Sequence, residues 1–235
     1  VFLESGRGGH YSIAAWHPIA NAKSVKQGLE LTWANGNIEL KTGEALAELE
    51  KVISEYKLEA NPQLPDFQGG AIGFISYDYA RTIEVLPLEA EDDLQIPDLY
   101  FYLFDHWAVH DVKTNEVTLM KFSTCEVDLL TWQTAWQEKA IVGLGKRHFN
   151  QETAKNIQQD ETELQVSFKG EAFEAAVRKI QHYIGQGDVF QVNLSVRQAK
   201  KLSAAPIVMY EAVRSFNPSP YMAYIESEHF TIVSG

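Results

Sequence analysis

The stretch from Gly185 to Arg197 constrains the fold more than any other part of this chain. It reads Gly-Gln-Gly-Asp-Val-Phe-Gln-Val-Asn-Leu-Ser-Val-Arg. Upstream of it Phe173, Val177, Ile180, Gln181 and Ile184 recur at helical spacing, which predicts an amphipathic helix over Phe173–Ile184, stopped by Gly185 and Gly187. After a turn at Gly187-Asp188, the run Val189–Val196 is rich in β-branched and aromatic residues and is expected to be a strand. Phe190, Val192, Leu194 and Val196 would share one face of it, and Gln191, Asn193 and Ser195 the other. Pattern alone leaves two roles open for the polar row: facing water on an antiparallel sheet, or lining a pocket.

The rest of the chain repeats this economy of short strands and single helices. Val1-Phe2-Leu3 and Tyr11–Trp16 read as a hairpin joined through the glycine-rich Gly6 to Gly9; no Gly-Lys-Ser/Thr follows, so this loop is no phosphate cradle. Lys23–Leu40 holds two strand-like runs around Trp33 and Ile38, joined by Asn35-Gly36, the strongest short hairpin signal in the sequence. Ala45–Tyr56 places Leu46, Leu49, Val52, Ile53 and Tyr56 on one helical stripe. In Phe67–Arg81, glycines at 69, 70 and 73 interrupt an apolar run, which requires bulges or close backbone approach. Asp78 and Arg81 are expected to form a buried pair that fixes the next loop. Leu99–Phe104, Trp107–Asp111 and Val117–Phe122 read as a meander. His106 and His110 have a helical metal-ligand spacing but lie on a strand pattern, with no Glu or Cys to complete a set. Asp128–Lys146 is helical in period, and 151–168 is polar enough to be a linker between an amino-terminal module at 1–150 and a second region at 169–235. Ser203–Ser215 is predicted as a helix with Pro206 in its first turn and Met209, Tyr210, Val213 and Phe216 inward. The stiff Asn217-Pro218-Ser219-Pro220 connector leads into a strand from Tyr221, and Phe230–Val233 is another.

Composition narrows the function classes. The formal charge of -12 argues against binding a phosphate backbone. The single Cys125 makes no internal disulfide, so a reducing cytoplasm is the simplest compartment, and no apolar run approaches the length of a membrane span. Both ends look cut, since the chain opens inside a strand-like run without Met and closes just after another.

Four ordered blocks resemble one family: Leu3–Ser12, Gly69–Glu84, Gly187–Arg197 and Asn217–Met222. The helix followed by Gly-Asp-x-Phe-Gln-Val-x-Leu-Ser-x-Arg is similar to the block that opens the chorismate-binding region of chorismate-utilising large subunits, those of anthranilate synthase and aminodeoxychorismate synthase. The resemblance implies an α+β fold with two antiparallel β-sheets sandwiching helices. It implies amination of chorismate with ammonia supplied by a glutamine amidotransferase subunit, and a magnesium ion whose ligands lie beyond Gly235. The region from 169 onward would then be the start of the chorismate-binding region, and this chain alone would be inactive.

Asn193 and the wording Phe67–Phe74 lean toward the aminodeoxychorismate branch, on the route to 4-aminobenzoate and folate. Two alternatives stay open: the anthranilate branch of tryptophan synthesis, and a non-catalytic amino-acid-binding module. The family also carries a tryptophan-sized pocket. Its matching positions here are Glu4, Ser5, Tyr11, Ser12, Ile13, Ala14, Pro220, Tyr221 and Met222. Glu4 would pair with the ligand's ammonium, Ser5 would bond the amino-acid head, and Pro220 and Met222 would offer apolar surface to an indole. No catalytic residue is expected within the chain.

Overall fold

A computed structural model describes residues 1–6, 8–57, 59–87, 91–122, 126, 128–134, 164–202 and 204–235. The chain divides into two compact units, Val1–His148 with Met209–Gly235, and Phe149–Val208. The larger unit therefore takes its last elements from the far end of the chain.

Two antiparallel sheets make up the larger unit. The first contains β1 (Phe2–Glu4), β2 (Tyr11–Ala14), β8 (His106–Asp111), β9 (Glu116–Lys121), β12 (Met222–Glu226) and β13 (Thr231–Ser234), in the order β13-β12-β1-β2-β8-β9. The second contains β3 (Ala20–Val25), β4 (Gly28–Trp33), β5 (Ile38–Thr42), β6 (Ala71–Ile75) and β7 (Leu99–Leu103), in the order β5-β4-β3-β7-β6. The expected hairpins form: β1 with β2, and β4 with β5 across Asn35-Gly36, where Gly36 has φ 86°. The expected meander does not form as a single sheet. β7 pairs with β3 and β6, whereas β8 pairs with β2 and β9, and the chain crosses between sheets at Phe104-Asp105. The continuous apolar character of Leu99–Phe104 has this cause, because β7 is buried on both faces.

Pleating on β7 sorts the core. Tyr100 and Tyr102 point to the first sheet and pack with Trp107, Val109, Met120 and Ile225, while Leu99 and Leu103 point the other way, onto Leu29, Leu31, Leu49 and Val52. Leu49 and Val52 belong to helix α1 (Ala45–Glu55), whose amino end is capped by the Glu44 carboxylate accepting from the Leu46 and Ala47 amides. Gly73 allows β6 to lie against β7, since a Cβ there would stand 2.0 Å from the Tyr100 carbonyl oxygen. The α+β class with two antiparallel sheets is as expected; the sheets meet through these aromatic side chains, and α1 packs on the second sheet.

Other expectations change in detail. Asp78 and Arg81 do pair, at 2.7 Å, on a 3-10 helix (Tyr77–Thr82), but the pair is not buried, the Asp78 side chain being 55% exposed. Residues 129–134 are helical, with Asp128 just before them, and 135–146 of the predicted 128–146 helix lies outside the described residues, as does 151–163.

In the smaller unit, helix α2 (Gly170–Gln186) ends where Gly187 adopts φ 81° and its amide bonds the Ile184 carbonyl. The predicted strand Val189–Val196 is absent: only β11 (Gln198–Ala199) pairs, with β10 (Gln165–Val166), and Phe190 is fully exposed. A strand needs a partner for its backbone groups, and Gln191–Arg197 has no ladder among the described residues. Helix α3 (Pro206–Phe216) starts at the predicted proline, and its part from Met209 belongs to the larger unit. Tyr210 is buried as expected, but Phe216 is 74% exposed, lying at the last turn beyond the covered sheet.

Candidate functional site

The end of β1 gathers polar groups beneath α3. β1 pairs with β12 so that Glu4 stands opposite Met222 and Phe2 opposite Tyr224. Side chains of opposed residues share a face, and this face is the one that α3 covers with Tyr210 and Val213. Glu4 is thereby carried under α3 and left only 8% exposed. A carboxylate buried to that degree requires donors. The Tyr210 hydroxyl donates to Glu4 Oε2 at 2.6 Å, Arg214 Nε lies 2.7 and 2.8 Å from the two oxygens, and Arg214 Nη2 reaches Oε1 at 2.7 Å. Tyr210 and Arg214 are four positions apart on α3, hence on one helical face. Burial, and then the hydrogen bond to Glu4, push the Tyr210 hydroxyl well above the usual tyrosine range.

Beyond Glu4 the ladder to β12 stops and the chain turns. Ser5 donates from Oγ to the Tyr11 carbonyl, and its amide donates to Ser12 Oγ at 3.1 Å. Gly6 passes flush along the proline connector: a Cβ there would stand 2.1 Å from the Ser219 carbonyl oxygen. Leu3-Glu4-Ser5 and Pro220-Tyr221-Met222, remote in sequence, are therefore brought together.

The nine predicted residues do not all share this place. Glu4, Ser12, Ala14 and Met222 lie on the α3 face of the sheet. Tyr11 and Ile13 alternate with Ser12 and pack into the inner core. The Tyr11 ring stacks on His10 at 3.9 Å, and burial followed by the Asp111 and Asp66 carboxylates raises its hydroxyl. Pro220 is exposed, Tyr221 is 88% exposed, and Met222, only 2% exposed, spends its surface on Tyr210 and Tyr224. An amino group approaching Glu4 meets a carboxylate already engaged by two donors. Sequence reasoning placed Tyr210 inward without a role and passed over Arg214. The available signal was an arginine one helical turn from an inward tyrosine, which demands an acid on the surface it covers.

Among the described residues no group of three or more His, Cys, Asp or Glu converges as a metal site, so the expected magnesium finds no ligand set among them. No helix among them is long and apolar enough to cross a membrane.

Known proteins agree with this architecture. The sequence pattern of the chorismate binding enzymes matches residues 1–235. The chain is 41% identical over 241 residues to aminodeoxychorismate synthase component 1 of Bacillus subtilis, covering 100% of this chain and 49% of that protein. It is 35% identical over 182 residues to anthranilate synthase component 1 of Thermus thermophilus, covering 75% of this chain and 37% of that one. The crystal structure of anthranilate synthase component I from Streptococcus pneumoniae superposes with a TM-score of 0.70 at 23% identity, over 96% of this chain and 50% of the other. The chain thus spans half or less of the length of these relatives. On the match of its whole length, it belongs to the family of chorismate binding enzymes.

Proposed function

We propose that this chain is part of an aminodeoxychorismate synthase component 1, which aminates chorismate with ammonia passed from a glutamine amidotransferase partner. The observation that carries this reading is the 41% identity extending over the entire chain. The anthranilate synthase component 1 of Thermus thermophilus, at 35% over 75% of the chain, supports the second reading, an anthranilate-forming enzyme. Magnesium would supply charge neutralisation at the chorismate carboxylate in either enzyme.

The test uses the longest natural polypeptide that contains this chain, with chorismate, ammonium and magnesium. The expected product is aminodeoxychorismate, converted to 4-aminobenzoate when a lyase is added; anthranilate as the product would overturn the first reading in favour of the second.

A further proposal is an amino-acid site at the end of β1, where Glu4 stands opposite Met222. The ligand's ammonium would have to displace Tyr210 or Arg214 from Glu4, and its head would compete with the Tyr11 carbonyl for Ser5. Titration calorimetry with tryptophan checks it. Binding weakened by Ser5→Ala is expected, and saturable binding that ignores Ser5→Ala would place the amino acid elsewhere.

A further inference from the structure

A concavity lies in the larger unit, apart from the residues at the end of β1. It is a cleft of about 780 Å³ between the last turns of α1, the connection leading into β6, and the β8–β9 hairpin. That volume is in the range of small-molecule sites. Its inner end is aromatic: Tyr56, Trp107 and Phe122 line it, with the Tyr56 and Phe122 centroids 6.3 Å apart and those of Trp107 and Phe122 5.4 Å apart.

The wall opposite α1 is built, not incidental. Gln68 clips the connection by exchanging two 2.8 Å hydrogen bonds with the Asn61 backbone, and Trp107 Nε1 donates to the Phe67 carbonyl at 3.2 Å. Gly69 and Gly70 hold φ of 130° and 113°, a region that disfavours any side chain. A Cβ on Gly69 would lie 2.8 Å from Phe122 Cζ, whereas one on Gly70 would meet nothing within 4 Å. Bare backbone therefore faces open space there.

The mouth carries the charge. Glu50, Glu59 and Asp66 line it, and none forms an ion pair among the described residues. Lys57 and Lys121 also line the cleft, two cations against three carboxylates. Aromatic faces below and an excess of carboxylates above suit a cation on an apolar body.

The geometry points to a binding site for a small aromatic amine in its protonated form, ring inward against Tyr56 and Phe122 and ammonium at the Glu59 and Asp66 rim. Nothing in it depends on the chorismate reading.

The probe is 2-phenylethylamine, titrated into the folded protein by calorimetry, with phenylacetate as the ring-matched anion. Saturable binding of the amine, weakened roughly tenfold in E59Q/D66N and reduced by added salt, is expected. S54W, at an exposed position of α1 that lines the cleft, should abolish it while leaving the melting temperature near the parent's. Absence of saturable binding up to millimolar amine would overturn the site. So would equal binding of phenylacetate, or binding that survives S54W.

Discussion

Glu4 shows how much one buried carboxylate can organise. Its donors come from a helix 206 and 210 positions away, and it is nearly sealed while the Arg214 side chain is 59% exposed. The asymmetry sets the sign of two substitutions. Glu4→Ala leaves the Tyr210 hydroxyl without its acceptor but frees Arg214 to water, for a cost of about 2 kcal/mol. Arg214→Ala leaves a buried charge with one neutral donor and should cost more, about 3 kcal/mol or above. Urea denaturation of both variants checks the order; equal losses would show that Arg214 contributes little. Tyrosine ionisation gives a second prediction. Tyr102, raised by burial and by its hydrogen bond with Tyr100, and Tyr210 both stay neutral in the folded state at pH values where the unfolded chain ionises. Their stabilising effect is full below the unfolded value of about 10 and is lost as the pH rises above it. Tyr210→Phe should therefore be less stable than the parent at pH 8, with the gap narrowing by pH 11. Little of this was legible beforehand. The inward position of Tyr210 follows from period, but its partner depends on which strand lies beneath α3, and no local pattern encodes that.

Elements were legible where their signals are local. The stripe of α1, Asn35-Gly36 and Pro206 each act within a few residues, and each marks its element correctly. The same local reasoning made a strand of Val189–Val196, because alternation describes how a strand would sort its faces but supplies no partner. Sheet membership failed in the same way at β7 and β8, where a two-residue corner separates two sheets. Close packing between elements gives a sharper prediction. Gly73→Ala would set a methyl 2.0 Å from the Tyr100 carbonyl oxygen and should cost at least about 3 kcal/mol, the upper end of overpacking. Gly187→Ala, at φ 81° with nothing within 4 Å, should cost only the left-handed backbone penalty of about 1–2 kcal/mol. Thermal melts of the two variants separate steric from conformational demand. A Gly73→Ala protein as stable as the Gly187→Ala one would mean that β6 can move away from β7.

At the scale of the whole molecule, the first sheet is closed by the last part of the chain. β12 covers one edge of β1 and β13 covers β12, so removal of 209–235 should strip β1 of a partner and Glu4 of both donors. Loss of a cooperative melt by circular dichroism is expected, and a retained sharp transition would show that β2, β8 and β9 suffice. This closure was legible only through the family resemblance, which paired the two ends before any contact could. It also has a kinetic meaning. Contacts of such long range make a sheet slow to nucleate. On the ribosome β1 waits for residues 210 positions downstream, which at about 5–20 residues per second is on the order of 10–40 s. For that interval the nascent chain holds out a naked strand edge bearing Phe2 and Leu3, and holdase chaperones would have their clearest target there.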